Sequence, residues 1–520
     1  MPPKHIAKTK ENISFQLTCE YKETICQNSY LGKKGYTILK SLLDKKDEIA
    51  LKEECTMIPF TNSSFMGANT PEIKFYVYRE SVNKLYIPRF YGIERYGLPK
   101  RSEISLGLSI DCPFSGSLRE IQTPIVQSYL DHVKTGSGGA ILEAGCGVGK
   151  TFCALYILSQ LKKKTLILVH KEFLMNQWIE RMNTFIPTAK IGIIQANVFD
   201  VEGKDVVIGM IQTMYRKDFS NKTSLDDFGL TIIDEVHRIG SEEFSKTLLK
   251  ISTQYMLGIS ATVERKDKLT KILYMFIGPK IYSSERESVD TVVVRGLKYE
   301  TRDPEFNEME YDFRGYPKYS TMISKLCNFI PRCQFIMGIL RDLIEENENG
   351  QIIVLCHNIC LLQFLYSALD KEKFATFGYY KGGMKKEQLK LSENKQIVLG
   401  SYAMASEGLD IPTLSTLVLA TPKTDIVQCV GRILRVKRAN PIIVDIIDSH
   451  ETFQNQWNKR KAYYRKCNYN ILTGTTIQNC VPLQKKGRIP LTKSKCQGEQ
   501  EISDEEEQNN ECNVILDNDI

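Results

Sequence analysis

The sequence has little of what metal or disulfide chemistry uses. Only 6 histidines occur in 520 residues, and none of the 15 cysteines forms a C-x-x-C pair. The nearest pairs, Cys356 with Cys360 and Cys327 with Cys333, support neither a zinc site nor a disulfide framework. An odd number of scattered thiols fits a reducing compartment, so a cytoplasmic location is expected, or a nuclear one in a cellular setting. Long apolar runs are missing too. The N-terminus, MPPKHIAKTK, has no apolar signal core. The most apolar stretch, 352–369, is interrupted by His357, Asn358 and Gln363, which makes it a buried core and not a membrane span. No PD-(D/E)-x-K nuclease element and no H-R-D element of a protein kinase is found.

What is present is an ordinary soluble balance, 42% hydrophobic and 25% charged, with a formal charge of +7. That charge permits a polyanionic partner without requiring one. The stretch 503–511 is strongly acidic, so the body before it is more basic than the total implies. At 520 residues the chain exceeds one compact core, and two large lobes with accessory segments are expected.

Hydrophobic patterning divides the chain. Residues 1–110 carry aromatic, β-prone runs such as 74–79 and 84–91 and read as an N-terminal accessory domain. Within 111–280, short apolar runs (166–170, 206–210, 231–234) alternate with amphipathic stretches such as 172–185, which implies βα units and a parallel sheet. Residues 325–475 repeat the alternation at 351–356, 396–400, 416–420 and 441–445. The weakly patterned 281–324 between them reads as a linker or insertion. The tail 476–520, basic and then acidic, is expected to be disordered. The fold class expected is α/β, with two parallel-sheet lobes.

The chemistry is concentrated in a few short segments. After the apolar run 141–143 come Ala144, Gly145, Cys146, Gly147, Val148, Gly149, Lys150 and Thr151, followed by a helical stretch. Glycines at this spacing let backbone N–H groups turn inward around phosphate oxygens at a helix N-terminus. Lys150 would reach the β- and γ-phosphates of ATP, and Thr151 would ligate Mg²⁺. Asp234-Glu235-Val236-His237 ends a strand: Asp234 suits Mg²⁺, and Glu235 suits the orientation or deprotonation of an attacking water. Ser260-Ala261-Thr262 offers two hydroxyls to link nucleotide state to a polymer surface. In the second lobe Gln428, Arg432 and Arg435 fall on successive turns of one helix face, fit to meet a γ-phosphate from the opposite lobe. Upstream, Gly408 and Asp410 lie in a glycine-plus-carboxylate loop that could orient an arginine or a ribose.

AGCGVGKT, DEVH, SAT, SEGLD and QCVGRILR occur in the order and spacing of superfamily 2 helicases, and over about 118–450 the chain resembles them. Further details resemble the XPB-like branch: Val169-His170-Lys171 with Gln177-Trp178, and Tyr380-Lys381-Gly382-Gly383. Arg265-Lys266-Asp267 departs from that branch's R-E-D element by its central lysine. Arg119 and Gln122 are similar to the R-x-x-Q element that recognises adenine. Length and front segment look most like the transcript-release helicases of poxviruses and African swine fever virus. The resemblance implies RecA-like lobes, DNA-stimulated ATP hydrolysis, 3′→5′ unwinding and a role with the transcription machinery in viral termination or transcript release. It also implies a nucleic-acid strand across both lobes, with His170, Lys171, Gln177, Gln212 and Thr213 contacting it in the first lobe and His357, Asn358 and Ser401 in the second. A repair- or restriction-type translocase, or an RNA helicase, would use the same engine.

Overall fold

A computed structural model describes residues 17–59, 74–145, 147–217, 225–238, 242–264, 269–284, 292–313, 315–407, 409, 411–433 and 441–483. The chain forms two compact units, Met1–Glu285 and Arg286–Ile520.

After helix Cys19–Asn28, the first unit continues with short strands that have too few residues to bury a core alone. β1 (Tyr30–Gly32), β2 (Gly35–Leu39), β5 (Arg79–Glu80), β6 (Lys84–Ile87) and β7 (Arg101–Ser102) make one sheet, and β3 (Thr56–Met57) pairs with β4 (Phe75–Tyr76). Their apolar faces share one core with the α/β lobe that follows, from Ile38, Leu85 and Phe90 through to Phe276 and Ile277. Arg89, only 9% exposed, fastens the two parts. Its two terminal guanidinium nitrogens donate to the carbonyls of Ser137 at 2.7 Å and Thr253 at 2.9 Å, so these find partners without a carboxylate.

The lobe itself contains β8 (Gly139–Ala144), β9 (Thr165–Val169), β10 (Ile191–Gln195), β11 (Val198–Phe199), β12 (Val206–Met210), β13 (Leu230–Asp234), β14 (Tyr255–Ser260) and β15 (Lys280–Ser284), in the order β11-β10-β12-β9-β13-β14-β8-β15. All pairings are parallel except β10 with β11. β9 and β13 are buried at every position, as expected of strands covered on both faces.

The second unit repeats the plan with β16 (Val293–Tyr299), β17 (Gln351–Cys356), β18 (Phe377–Tyr380), β19 (Ile397–Ser401), β20 (Leu414–Leu419), β21 (Ile442–Asp448), β22 (Asn470–Gly474) and β23 (Val481–Pro482), in the order β18-β19-β17-β20-β21-β16-β22-β23. Two buried ion pairs fix β21 to the helices around it. Arg332 is bidentate on Asp448 at 2.6 and 2.9 Å, and Arg460 is bidentate on Asp445 at 2.7 and 2.8 Å.

The segment 281–324 is not a linker. Its first residues complete β15 at the edge of the first sheet, and β16 lies inside the second sheet between β21 and β22. The pattern misleads because Arg295 and Lys298 interrupt the apolar run. Leu297 and Val294 are nonetheless fully buried. The tail also begins later than 476: Ile477 is 3% exposed and β23 pairs with β22. The remainder of the expected tail lies outside the described residues. Among the described residues no helix is long and apolar enough to cross a membrane.

Candidate nucleotide and strand sites

Strand order brings the chemical segments of the first unit together. β8, β14 and β13 lie side by side and parallel, with Glu143 opposite Ser260 and Ile259 opposite Asp234. Their carboxyl ends deliver the glycine loop, Ser260 and the Asp234–Glu235 pair to one edge, where open α/β sheets hold ligands. Gly147 and Gly149 adopt φ of 86° and 90°, a left-handed region open to glycine at little cost. At Gly149 a Cβ would also stand 2.6 Å from Gln122 Nε2. Helix Lys150–Leu161 starts directly after, with no side chain capping it. Its first N–H groups and positive dipole end are the features that hold phosphate.

Lys150 Nζ lies 4.0 Å from Glu235 Oε1. Glu235 has φ of 49°, a left-handed conformation that costs a side-chain residue about 1–3 kcal/mol and is kept where the surroundings over-determine it. Asp234 is 6% exposed and accepts the indole N–H of Trp178 at 2.9 Å. Burial, with the neighbouring Glu235 charge, pushes its carboxyl up to about 6. A carboxylate pair held this way gains from a cation, so the donor set of Asp234 and Thr151 fits Mg²⁺. His237 joins the next segment: its Nδ1 lies 2.6 Å from Ser260 Oγ and 3.4 Å from Glu235 Oε2.

Arg119 and Gln122 come to the same loop. Gln122 Nε2 donates to the Val148 carbonyl at 2.8 Å and its Oε1 accepts from Arg119 N at 3.0 Å, while the Arg119 guanidinium also donates to Val148. Glu143 was not singled out in the sequence, although a carboxylate one residue before the glycine loop was a visible signal. It accepts from Val263 N at 3.0 Å, Ser283 Oγ at 3.0 Å and Lys280 Nζ at 2.7 Å. These contacts tie the loop's base to the residue after Ser260-Ala261-Thr262 and to β15.

The candidate strand contacts fall at carboxyl ends as well. His170 follows β9 and Gln212 follows β12, adjacent strands with Val169 opposite Met210. Gln212 Nε2 donates to the His170 carbonyl at 2.8 Å, Lys171 is exposed, and Gln177 is half-buried. Thr213 is 9% exposed and its hydroxyl accepts from Ala196 N at 3.0 Å, which holds the left-handed backbone of Ala196. In the second unit His357 follows β17, and Ser401 ends the neighbouring β19 opposite Cys356. Asn358 caps helix Ile359–Glu372 through Cys360 N at 3.2 Å. Gln428 and Arg432 belong to helix Val427–Ile433. Cys146, Gly408, Asp410, Arg435 and the Arg265–Asp267 element lie outside the described residues, as do the side chains of Gln428 and Arg432. Among the described residues no group of three or more His, Cys, Asp or Glu side chains is placed to hold a metal ion.

Comparison with known proteins agrees with this layout. Residues 115–265 match the family "Type III restriction enzyme, res subunit", and residues 336–440 match "Helicase conserved C-terminal domain". A protein of Acanthamoeba polyphaga mimivirus, provisionally named an ATP-dependent RNA helicase, is 36% identical over 84% of this chain and 85% of its own. An African swine fever virus protein with the same provisional name is 26% identical over 64% of this chain and 70% of its own. The DNA 3′-5′ translocase XPB2 of Sulfurisphaera tokodaii is 24% identical over 69% and 89%. In fold, the chain is similar to S. cerevisiae Dbp5 bound to RNA and ADP BeF3, with a TM-score of 0.50 at 13% identity over 68% of this chain and 89% of that one. The chain belongs to the superfamily 2 helicases, in the XPB-like group with its viral members, and is an ATP-dependent helicase.

Proposed function

We propose that the protein is a DNA-stimulated ATPase that unwinds duplexes 3′→5′ in viral transcription termination or transcript release. The single observation supporting the chemical part is the 4.0 Å approach of Lys150 Nζ to Glu235 Oε1 beside the buried Asp234. Lys150 offsets charge on the β- and γ-phosphates, and backbone N–H groups at Gly147, Gly149 and Thr151 orient them. Glu235 aligns the attacking water and takes its proton, a role worth about 10²–10⁴ in rate. Asp234 and Thr151 would hold Mg²⁺, which neutralises phosphate oxygens when bound. Arg119 and Gln122 serve the adenine end. Gln428, Arg432 and Arg435 would meet the γ-phosphate from the second lobe, with Asp410, in the loop that Gly408 begins, orienting an arginine or a ribose, and an arginine finger of this kind contributes about 10³–10⁵.

Nucleic acid is gripped through phosphates by Lys171, Gln177 and Gln212, with His170 and Thr213 shaping that surface, and by His357, Asn358 and Ser401 in the second lobe. Affinity should fall steeply with salt and depend little on sequence. DNA is favoured by the likeness to the translocase, whereas the viral relatives are named for RNA, and an RNA helicase is the second reading.

The test is ATP hydrolysis measured side by side with single-stranded DNA, duplex DNA and RNA, for the wild type and Lys150→Ala. DNA should stimulate most, and Lys150→Ala should abolish the stimulated rate with the fold intact. A well-folded Lys150→Ala protein that keeps its rate removes the phosphate-loop assignment. Stronger stimulation by RNA replaces DNA with RNA as the substrate.

A further inference from the structure

The turn that leads from β20 to the helix carrying Gln428 and Arg432 is held by an unusual set of donors. Its successive carbonyls are each taken by a side chain from a different place in the second unit. Arg332 donates to Ala420 at 2.8 Å, the Tyr402 hydroxyl to Thr421, the Tyr319 hydroxyl to Pro422 at 2.9 Å and Arg460 to Lys423 at 3.0 Å. Buried carbonyls must find partners, and in a turn water usually supplies them. Here rigid side chains do, so a shift in one donor is passed to the backbone and not absorbed by solvent.

The donors differ in kind. The two guanidiniums at the ends are anchored on Asp448 and Asp445 of β21, which fixes Ala420 and Lys423 to the sheet. The two in the middle are neutral tyrosine hydroxyls whose rings stand around His357, with centroids 4.7 Å away for Tyr402 and 6.3 Å for Tyr319. His357 also grips the turn itself. Its backbone N–H donates to Thr421 Oγ1 at 3.1 Å, and its Nδ1 lies 2.8 Å from the same oxygen. Thr421 is fully buried, while the His357 side chain is exposed. Tyr402 opens helix Tyr402–Glu407, which packs against helix Val427–Ile433.

We infer that Thr421 and Tyr402 are positioning residues that transmit occupation of the strand surface at His357 and Ser401 to the helix bearing Gln428 and Arg432. The inference rests on the proposed function, because it needs a strand at His357 and an ATP-directed role for that helix. A strand pressing on the exposed His357 ring moves the group that holds Thr421 Oγ1. The inner carbonyls follow through the tyrosines, while the arginine-held ends keep the sheet still. The neighbouring helix is then biased through its contact with the helix that Tyr402 begins. Coupling of this sort lives in a contiguous set of packed and hydrogen-bonded groups.

The experiment uses the full chain with Thr421→Val and Tyr402→Phe, which remove a hydroxyl at nearly constant volume, and Thr421→Ser, which keeps the hydroxyl and loses a methyl. ATPase with and without saturating single-stranded DNA, KM for ATP, DNA affinity and melting temperature are measured on each. Thr421→Val and Tyr402→Phe should lose about 10-fold in DNA stimulation, within the usual range of coupling, with unstimulated rate, KM and DNA affinity near wild type. Thr421→Ser should restore stimulation. Tyr402→Phe keeps the ring packing and so serves even where Thr421→Val folds poorly. Full stimulation in folded Thr421→Val and Tyr402→Phe overturns the relay and leaves the helicase reading standing. Loss of DNA affinity by the same factor as stimulation overturns it too, by making these residues part of the binding surface. A wild-type protein stimulated by no nucleic acid overturns the underlying reading and the relay with it.

Discussion

The indole N–H of Trp178 is spent on a single acceptor, Asp234 Oδ2 at 2.9 Å, with both residues buried. The bond links helix Glu172–Phe185 to the end of β13 and opposes the upward push that burial and Glu235 give the Asp234 carboxyl. Trp178→Phe keeps an aromatic in the core but removes the donor. The half-saturating Mg²⁺ concentration for ATP hydrolysis should rise about 10–100-fold, the usual effect of losing a partner behind a metal ligand. A magnesium titration of the variant's ATPase decides it: an unchanged midpoint would mean the indole only packs.

Glu235 combines a catalytic assignment with a strained backbone, since its φ is 49°. Glu235→Gln should still bind ATP while hydrolysis falls about 10²–10⁴-fold, because the amide cannot accept the proton of the attacking water. Glu235→Gly should be as inactive, yet melt no lower than wild type, because glycine adopts that backbone freely. Nucleotide affinity, single-turnover hydrolysis and calorimetry on the two variants separate the effects. A glycine variant that melts far below wild type would show that the side chain, and not the backbone, is what holds this turn.

Glu143 gathers three donors on one side chain. Glu143→Ala leaves the Val263 N–H without its acceptor and Lys280 without its 2.7 Å partner, and should cost about 1–3 kcal/mol of stability. Lys280→Ala removes only a pair whose lysine side chain is 31% exposed, and should cost well under half as much. Urea denaturation of both proteins compares them directly, and equal losses would contradict the account.

The Arg332–Asp448 pair has no exposure on either side chain. Removing one member strands the other charge, so Arg332→Leu should cost about 3–5 kcal/mol, whereas pairing it with Asp448→Leu should return much of that loss. Both variants lose the Ala420 carbonyl's donor, which is why recovery stays incomplete. Denaturation midpoints of the two single variants and the double variant test this. Additive losses would mean the two side chains act independently despite the 2.6 Å contact.

The turn and helix start at the glycine loop, the strand that ends in the acidic pair and most of the other buried strands were legible in the sequence because each is a local requirement. Glycine is needed where φ is positive, a lysine and threonine must open the helix, and a parallel strand buried on both faces must be apolar at every position. Helix Glu172–Phe185 announced itself by its periodicity alone. The sequence could not place β16. Its partners, β21 and β22, come more than a hundred residues later, and Arg295 and Lys298 hide its apolar face. Nor could it tell that Thr213 spends its hydroxyl on Ala196, that Asn358 spends its carbonyl on a helix end, or that Glu143 anchors three segments. Side chains like these are polar and common, and what they do depends on which distant backbone group folding sets within hydrogen-bond reach. Residue type and short spacing determined which chemistry this chain carries. Sheet order, which follows from pairing among remote strands, decided which groups meet at the carboxyl edges and which are consumed in holding the fold.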